Sequence, residues 1–105
     1  MFDKFAETPG GAIPDLTQPS KEALIHLLRH KEKWPATFPE FVFNSSCRCA
    51  MGLAVAAWPD KVGHFNVPTV SAAIGIDRNI GQAIFNNGRG PNSTAEDIAE
   101  LLEEV

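Results

Sequence analysis

The sequence contains only two cysteines, Cys47 and Cys49, and a single residue separates them. Such a pair does not form the disulfide framework of a small secreted protein, so we expect a reduced, cytoplasmic protein. No apolar run reaches the roughly 20 residues of a membrane-spanning helix, and no signal peptide is evident. We therefore expect no membrane association.

Positive charge is also scarce: the sequence has nine lysines and arginines and thirteen aspartates and glutamates. The resulting formal net charge of −4 argues against a general nucleic-acid binder. Hydrophobic residues make up 44% of the chain and charged residues 21%, which is typical of a globular protein. Repeats and interdomain linkers are lacking in the sequence, so we predict one domain over residues 1–105.

The stretch over residues 46–58 is rich in helix formers and small residues, and Pro59 closes it. Preceding serines offer an N-cap, and apolar side chains cover almost the whole circumference of a helical wheel. A helix that is apolar nearly all round is a buried one. The sequence therefore predicts a central buried helix around which the other elements pack.

The remaining segments predict a mainly α domain of about five helices. Residues 1–19 hold several prolines and glycines and are typical of an irregular arm. A minimal two-stranded element is compatible with the segments 41–43 and 62–67. The further helices are expected to begin at Ser20 (continuing to about Lys33), at Thr69, at Asp77, and at a capping box over Ser93–Glu96.

Cys47 would lie in the first turn of the central helix, where the helix dipole lowers the pKa of a thiol. The stretch from Ser46 to Trp58 resembles the nucleophile helix of papain-like hydrolases, which take a histidine from a later strand. That resemblance implies Cys47 and His64 as catalytic residues. The alternative is that both thiols are small buried hydrophobic groups, and this second interpretation is the one we favour.

A metal site is not predicted. Two residues apart on a helix, Cys47 and Cys49 diverge by about 160° and cannot bind one ion together. His26 and His30 have the i, i+4 spacing of helical ligands, but no second ligand helix accompanies them. We expect no metal and no cofactor.

The segment 70–85 resembles the helix-turn-helix of DNA-binding proteins, with Gly75 in the turn. Its second helix would expose Arg78, Asn79 and Gln82, which are side chains able to read base edges. Gly81 departs from the motif, which usually buries an aliphatic residue there. DNA binding through these three side chains is therefore an alternative function, and the acidic composition argues against a nucleic-acid partner.

The proline-punctuated segment after the first helix carries Trp34, Phe38 and Phe41. We expect part of this segment, Phe38 or Phe41 especially, to stay at the surface, beside the basic side chains of Arg29 and Lys33. Aromatic residues next to cations are typical of interface anchors; the alternative is that the phenylalanines close the core. The preferred function is thus a non-enzymatic protein-interaction or regulatory module that binds a protein partner or a second copy of itself.

The order of motifs in about the last sixty residues is similar to that of small bacterial helical proteins of uncharacterised function. A Cys-Ala-x-Gly helix is followed by a Gly-Ile-Asp segment ending in Ala83-Ile84-Phe85, and then by a capped final helix. This resemblance implies an all-α fold and carries no activity.

Overall fold

The computed structural model describes residues 14–42, 48–63, 66–86, 90 and 92–105. Within these ranges the chain forms six α-helices and one short 3-10 helix, and no strand. The prediction of a small, mainly α domain is confirmed, with six helices rather than five. The helices are α1 (Lys21–Arg29), the 3-10 helix (Lys31–Lys33), α2 (Ala50–Ala57), α3 (Pro59–Val62), α4 (Val67–Ile74), α5 (Arg78–Asn86) and α6 (Ala95–Glu103).

Helix α2 is the buried centre of the described structure, and it packs against α1, α3, α4 and α5. The predicted burial is confirmed, since its first five residues are buried and Leu53 is fully so. Its predicted bounds are wrong, because Cys49 is extended (φ −89°, ψ −177°) and the helix starts only at Ala50. The helix stops at Ala57 because Pro59 begins α3, and a residue that precedes proline disfavours helical geometry.

Helices α1 and α6 pack extensively against each other. Helix α1 begins as predicted, with the Ser20 hydroxyl accepting a hydrogen bond from the Ala23 N–H at 3.0 Å. It ends at Arg29 rather than near Lys33, since His30 leaves helical geometry (φ −131°, ψ 76°). Continued helix would have turned Lys31 towards the apolar stripe, and the 3-10 turn leaves it exposed instead.

The N-caps of α6 and α4 both lie one or more residues from their predicted positions. The capping box of α6 joins Thr94 and Asp97, one residue later than predicted, while the Ser93 hydroxyl donates to the Gly90 carbonyl at 2.8 Å. Helix α4 is capped by Asn66, whose side chain accepts from the Thr69 N–H at 3.1 Å. Thr69 is therefore inside the first turn.

The suggested two-stranded element is wrong where the structure describes its residues. Val62 ends α3 and Val67 begins α4, so neither belongs to an extended segment. The Val42 N–H donates instead to the Arg48 carbonyl at 2.7 Å, a local bond rather than a partner strand. Gly63 is the C-cap of α3, and Asn66 is the N-cap of α4.

Candidate functional site

The segment that follows the 3-10 helix is irregular, yet aromatic side chains fix it to the core. The Trp34 indole N–H donates to the Leu27 carbonyl at the end of α1, at 2.7 Å. The rings of Trp34 and Phe38 meet edge to face with centroids 5.1 Å apart, and the Phe38 N–H donates to the Pro35 carbonyl at 2.9 Å. Residues 34–42, which we call the aromatic platform, therefore have a defined shape without regular helix.

Phe38, in the middle of the platform, is buried. It is only 1% exposed and is among the largest fully buried side chains, so the prediction that it stays at the surface is wrong. Its ring contacts the Trp34 ring edge to face, and the residue belongs to the hydrophobic core. Phe41 is half-buried against the core, and Val42 is 42% exposed.

Exposed charged residues lie next to the apolar residues of the platform in the chain or are bonded to the platform. The Arg48 guanidinium and the Glu40 carboxylate form an exposed ion pair, with Nη1 and Oε2 3.1 Å apart. Lys33 lies exposed at the end of the 3-10 helix that leads into the platform. The platform thus combines partly exposed apolar residues with exposed charged ones.

Arg29, the other cation predicted for this surface, is occupied elsewhere. Its guanidinium bonds the Glu96 carboxylate through Nε and Nη2 at 2.8–3.1 Å. It also bonds the Glu103 carboxylate through Nη1 and Nη2 at 2.7 and 2.9 Å. These hydrogen bonds raise the pKa of Arg29 and lower that of Glu103. Arg29 thus connects α1 to both ends of α6.

A groove of about 600 Å³ lies beside this cluster on the outer side of α1. The rings of His26 and His30 stack there with centroids 4.1 Å apart, and His30 Nδ1 lies 3.0 Å from a Glu32 carboxylate oxygen. His26 Nε2 is buried and has no hydrogen-bond partner among the described residues. Burial, followed by the nearby charges of His30 and Lys33, lowers the pKa of His26. The groove is lined by Pro14, Lys21, Glu22, Ile25, His26, Arg29, His30 and Glu103.

The three side chains proposed to read DNA lie on one helix, as the sequence suggested. Arg78, Asn79 and Gln82 are all exposed on α5. The side of α5 that faces the protein buries Gly81 and Ile84. The structure therefore brings the three polar side chains together at one surface, on the helix after Gly75.

Comparison with protein-family models, with characterised proteins and with solved structures gives no match for this chain.

The proposed catalytic residues, Cys47 and His64, both lie outside the described residues. Cys49 is described, and its side chain is only 2% exposed at the N-cap position of α2. For this cysteine the interpretation as a small buried hydrophobic group fits the structure.

The described residues form neither a metal-binding cluster nor a membrane-spanning helix. No three side chains of the His, Cys, Asp or Glu type are arranged there to hold a metal ion. None of the described helices has the length and apolar character needed to span a bilayer.

Two features of the surface were missed from the sequence. The contacts of Arg29 reach partners 67 and 74 residues away, so no local pattern indicates them. The sequence gives only a weak indication that Val42 is exposed. It is an apolar residue in a proline-containing segment that cannot form one amphipathic element.

Proposed function

We propose that the protein is a non-enzymatic interaction module that binds a protein partner through the aromatic platform. One observation carries this proposal: an irregular surface segment is anchored by its own aromatic residues and still exposes Val42. A segment that is already ordered loses little conformational entropy on binding, which favours affinity.

The chemistry of the platform supports the same conclusion. Trp34 and Phe41 are each partly exposed, and Val42 is exposed beside Phe41 in the chain. Lys33 and the Glu40–Arg48 pair provide charged groups around them. An apolar centre with a polar border is the general anatomy of protein–protein interfaces.

The test uses two matched substitutions, Val42→Asp and Val105→Asp. These valines are the exposed large hydrophobic residues of the described structure, at 42% and 46% exposure, so a charge at either should leave the fold intact. Each full-length variant serves as bait in cells that naturally produce the protein, and captured proteins are quantified. Thermal unfolding of each variant checks that the melting temperature is unchanged.

We expect Val42→Asp to reduce capture of one specific protein by about tenfold or more, as for an interface anchor. Val105→Asp should capture that protein as the unmodified chain does. Identical capture by all three proteins would contradict the proposal, as would a loss of capture caused only by Val105→Asp.

A further inference from the structure

The connection between α4 and α5 has a fixed geometry. Gly75 adopts the left-handed conformation (φ 78°, ψ 30°), and the Ile76 N–H donates to the Ser71 carbonyl at 2.9 Å. Asp77 then accepts a hydrogen bond from the Asn79 N–H at 2.7 Å, which caps α5. Two short helices joined by a three-residue turn that contains glycine match the connection of a helix-turn-helix.

The two helices also cross at very short range. A Cβ atom at Gly81 would lie 1.8 Å from the Ser71 hydroxyl oxygen and 3.1 Å from the Ser71 Cβ. Gly81 was the residue that departed from the motif in the sequence. The structure explains this departure, because the Ser71 side chain fills the space that an aliphatic side chain would occupy.

A third helix supports the pair from behind. Helix α2 packs against both α4 and α5, and its Met51 methyl group would lie 3.5 Å from a Cβ at Gly81. The inner sides of α4 and α5 are buried through Val70, Ile74 and Ile84. Helix α2 thus packs against the buried side of α4 and α5, and the opposite side of α5 is exposed to solvent.

The solvent side of α5 carries groups suited to base edges. Arg78, Asn79 and Gln82 are exposed there, and Ala83 and Asn86 next to them are small or polar and also exposed. Arginine pairs with guanine through two hydrogen bonds, and asparagine or glutamine pairs with adenine in the same way. The helix itself contains no acidic residue.

A large share of the acidic residues belongs to another helix. Five of the thirteen acidic residues belong to α6 and the residue after it, and α6 packs against α1. Residues 59–86 contain two acidic and two basic residues, so their formal charge is zero. Phosphate contacts supply much of the affinity of DNA binders, so a neutral surface predicts modest affinity with readout by base contacts.

We propose that α4 and α5 form a helix-turn-helix that binds duplex DNA, with the exposed side of α5 in the major groove. Arg78, Asn79 and Gln82 contact base edges. This activity is separate from the aromatic platform, and neither depends on the other.

The test starts from a library of duplexes with a randomised central segment, selected on the immobilised full-length protein at low salt. Fluorescence anisotropy then measures binding of the enriched duplex and of a shuffled duplex. The variants are Arg78→Ala and Gln82→Ala, with Lys33→Ala as a control that removes an exposed cation outside the motif. Melting temperatures confirm that each variant is folded.

We expect each α5 variant to weaken binding of the enriched duplex by about fivefold to 150-fold, the range for loss of a two-bond base contact. Lys33→Ala and Val42→Asp should bind it as the unmodified protein does, which separates this proposal from that for the platform. Failure to enrich any sequence would overturn the proposal. Loss of a captured protein rather than of DNA in the α5 variants would equally overturn it and assign the surface to a protein partner.

Discussion

Replacing Gly81 by alanine tests the close crossing of α4 and α5. The new methyl group would meet the Ser71 hydroxyl oxygen at 1.8 Å and the Ser71 Cβ at 3.1 Å, so the helices must separate or the serine must move. Overpacking of this kind costs about 1–3 kcal/mol, and the higher helix propensity of alanine returns about 1 kcal/mol. We expect a net loss of stability of up to about 2 kcal/mol.

Ser71→Ala provides the matched partner substitution. The Ser71 hydroxyl is buried without a hydrogen-bond partner among the described residues, so its removal alone should stabilise the protein. In that background the shortest contact disappears, and the closest one that remains is the 3.1 Å contact between Cβ positions. Gly81→Ala should then be neutral or stabilising.

Urea unfolding of the four proteins in this double-mutant cycle measures the coupling directly. We predict that Gly81→Ala destabilises the chain that has Ser71 and does not destabilise the chain that has alanine there. A gain of about 1 kcal/mol from Gly81→Ala in both backgrounds, as propensity alone predicts, would refute the close crossing. The helix-turn-helix geometry would then lose its main structural support.

Three further predictions concern the core and the α1 surface. Leu53→Ala should cost about 2–5 kcal/mol in urea unfolding, because Leu53 is fully buried on α2; an unchanged midpoint would show that α2 is peripheral. Arg29→Gln should lower the unfolding free energy by about 1 kcal/mol at low salt and by less in 1 M NaCl, because its partners Glu96 and Glu103 are half-exposed. A loss that salt does not reduce would contradict a role for these ion pairs. The folded-state pKa of His26 is lowered from its ordinary value of 6.5, so the protein should lose stability as the pH falls below that value. His26→Gln should therefore reduce the loss of unfolding free energy between pH 7.5 and 5.5. Equal pH profiles of the two proteins would refute this.

Much of the fold was predictable because its signals are local. The Ser20 cap, the Gly75 turn and the apolar surface of α2 each depend on neighbouring residues, and the structure confirms all three. Helix starts were harder where several capping residues stand close together. Asn66 and Thr69 are both good N-caps, and the tertiary packing that fixes the position of α4 decides between them.

The surface was less predictable, because exposure depends on contacts that are distant in the sequence. Phe38 and Phe41 have the same hydrophobicity, and only the Trp34 ring and the surrounding core bury one of them fully. The significance of Gly81 required the position of Ser71, on another helix. From the sequence Arg29 is a surface cation, and only the folded structure shows that it pairs with Glu96 and Glu103 of α6.

The claim that the aromatic platform is the partner-binding surface is tested most directly by cross-linking in cells. A photo-cross-linking amino acid replaces Val42 in one chain and Val105 in another, and both are expressed where the protein is naturally produced. The account predicts one dominant cross-linked partner from position 42, either another protein or a second copy, and none from position 105. A folded chain that cross-links from position 105 and not from position 42 would contradict it.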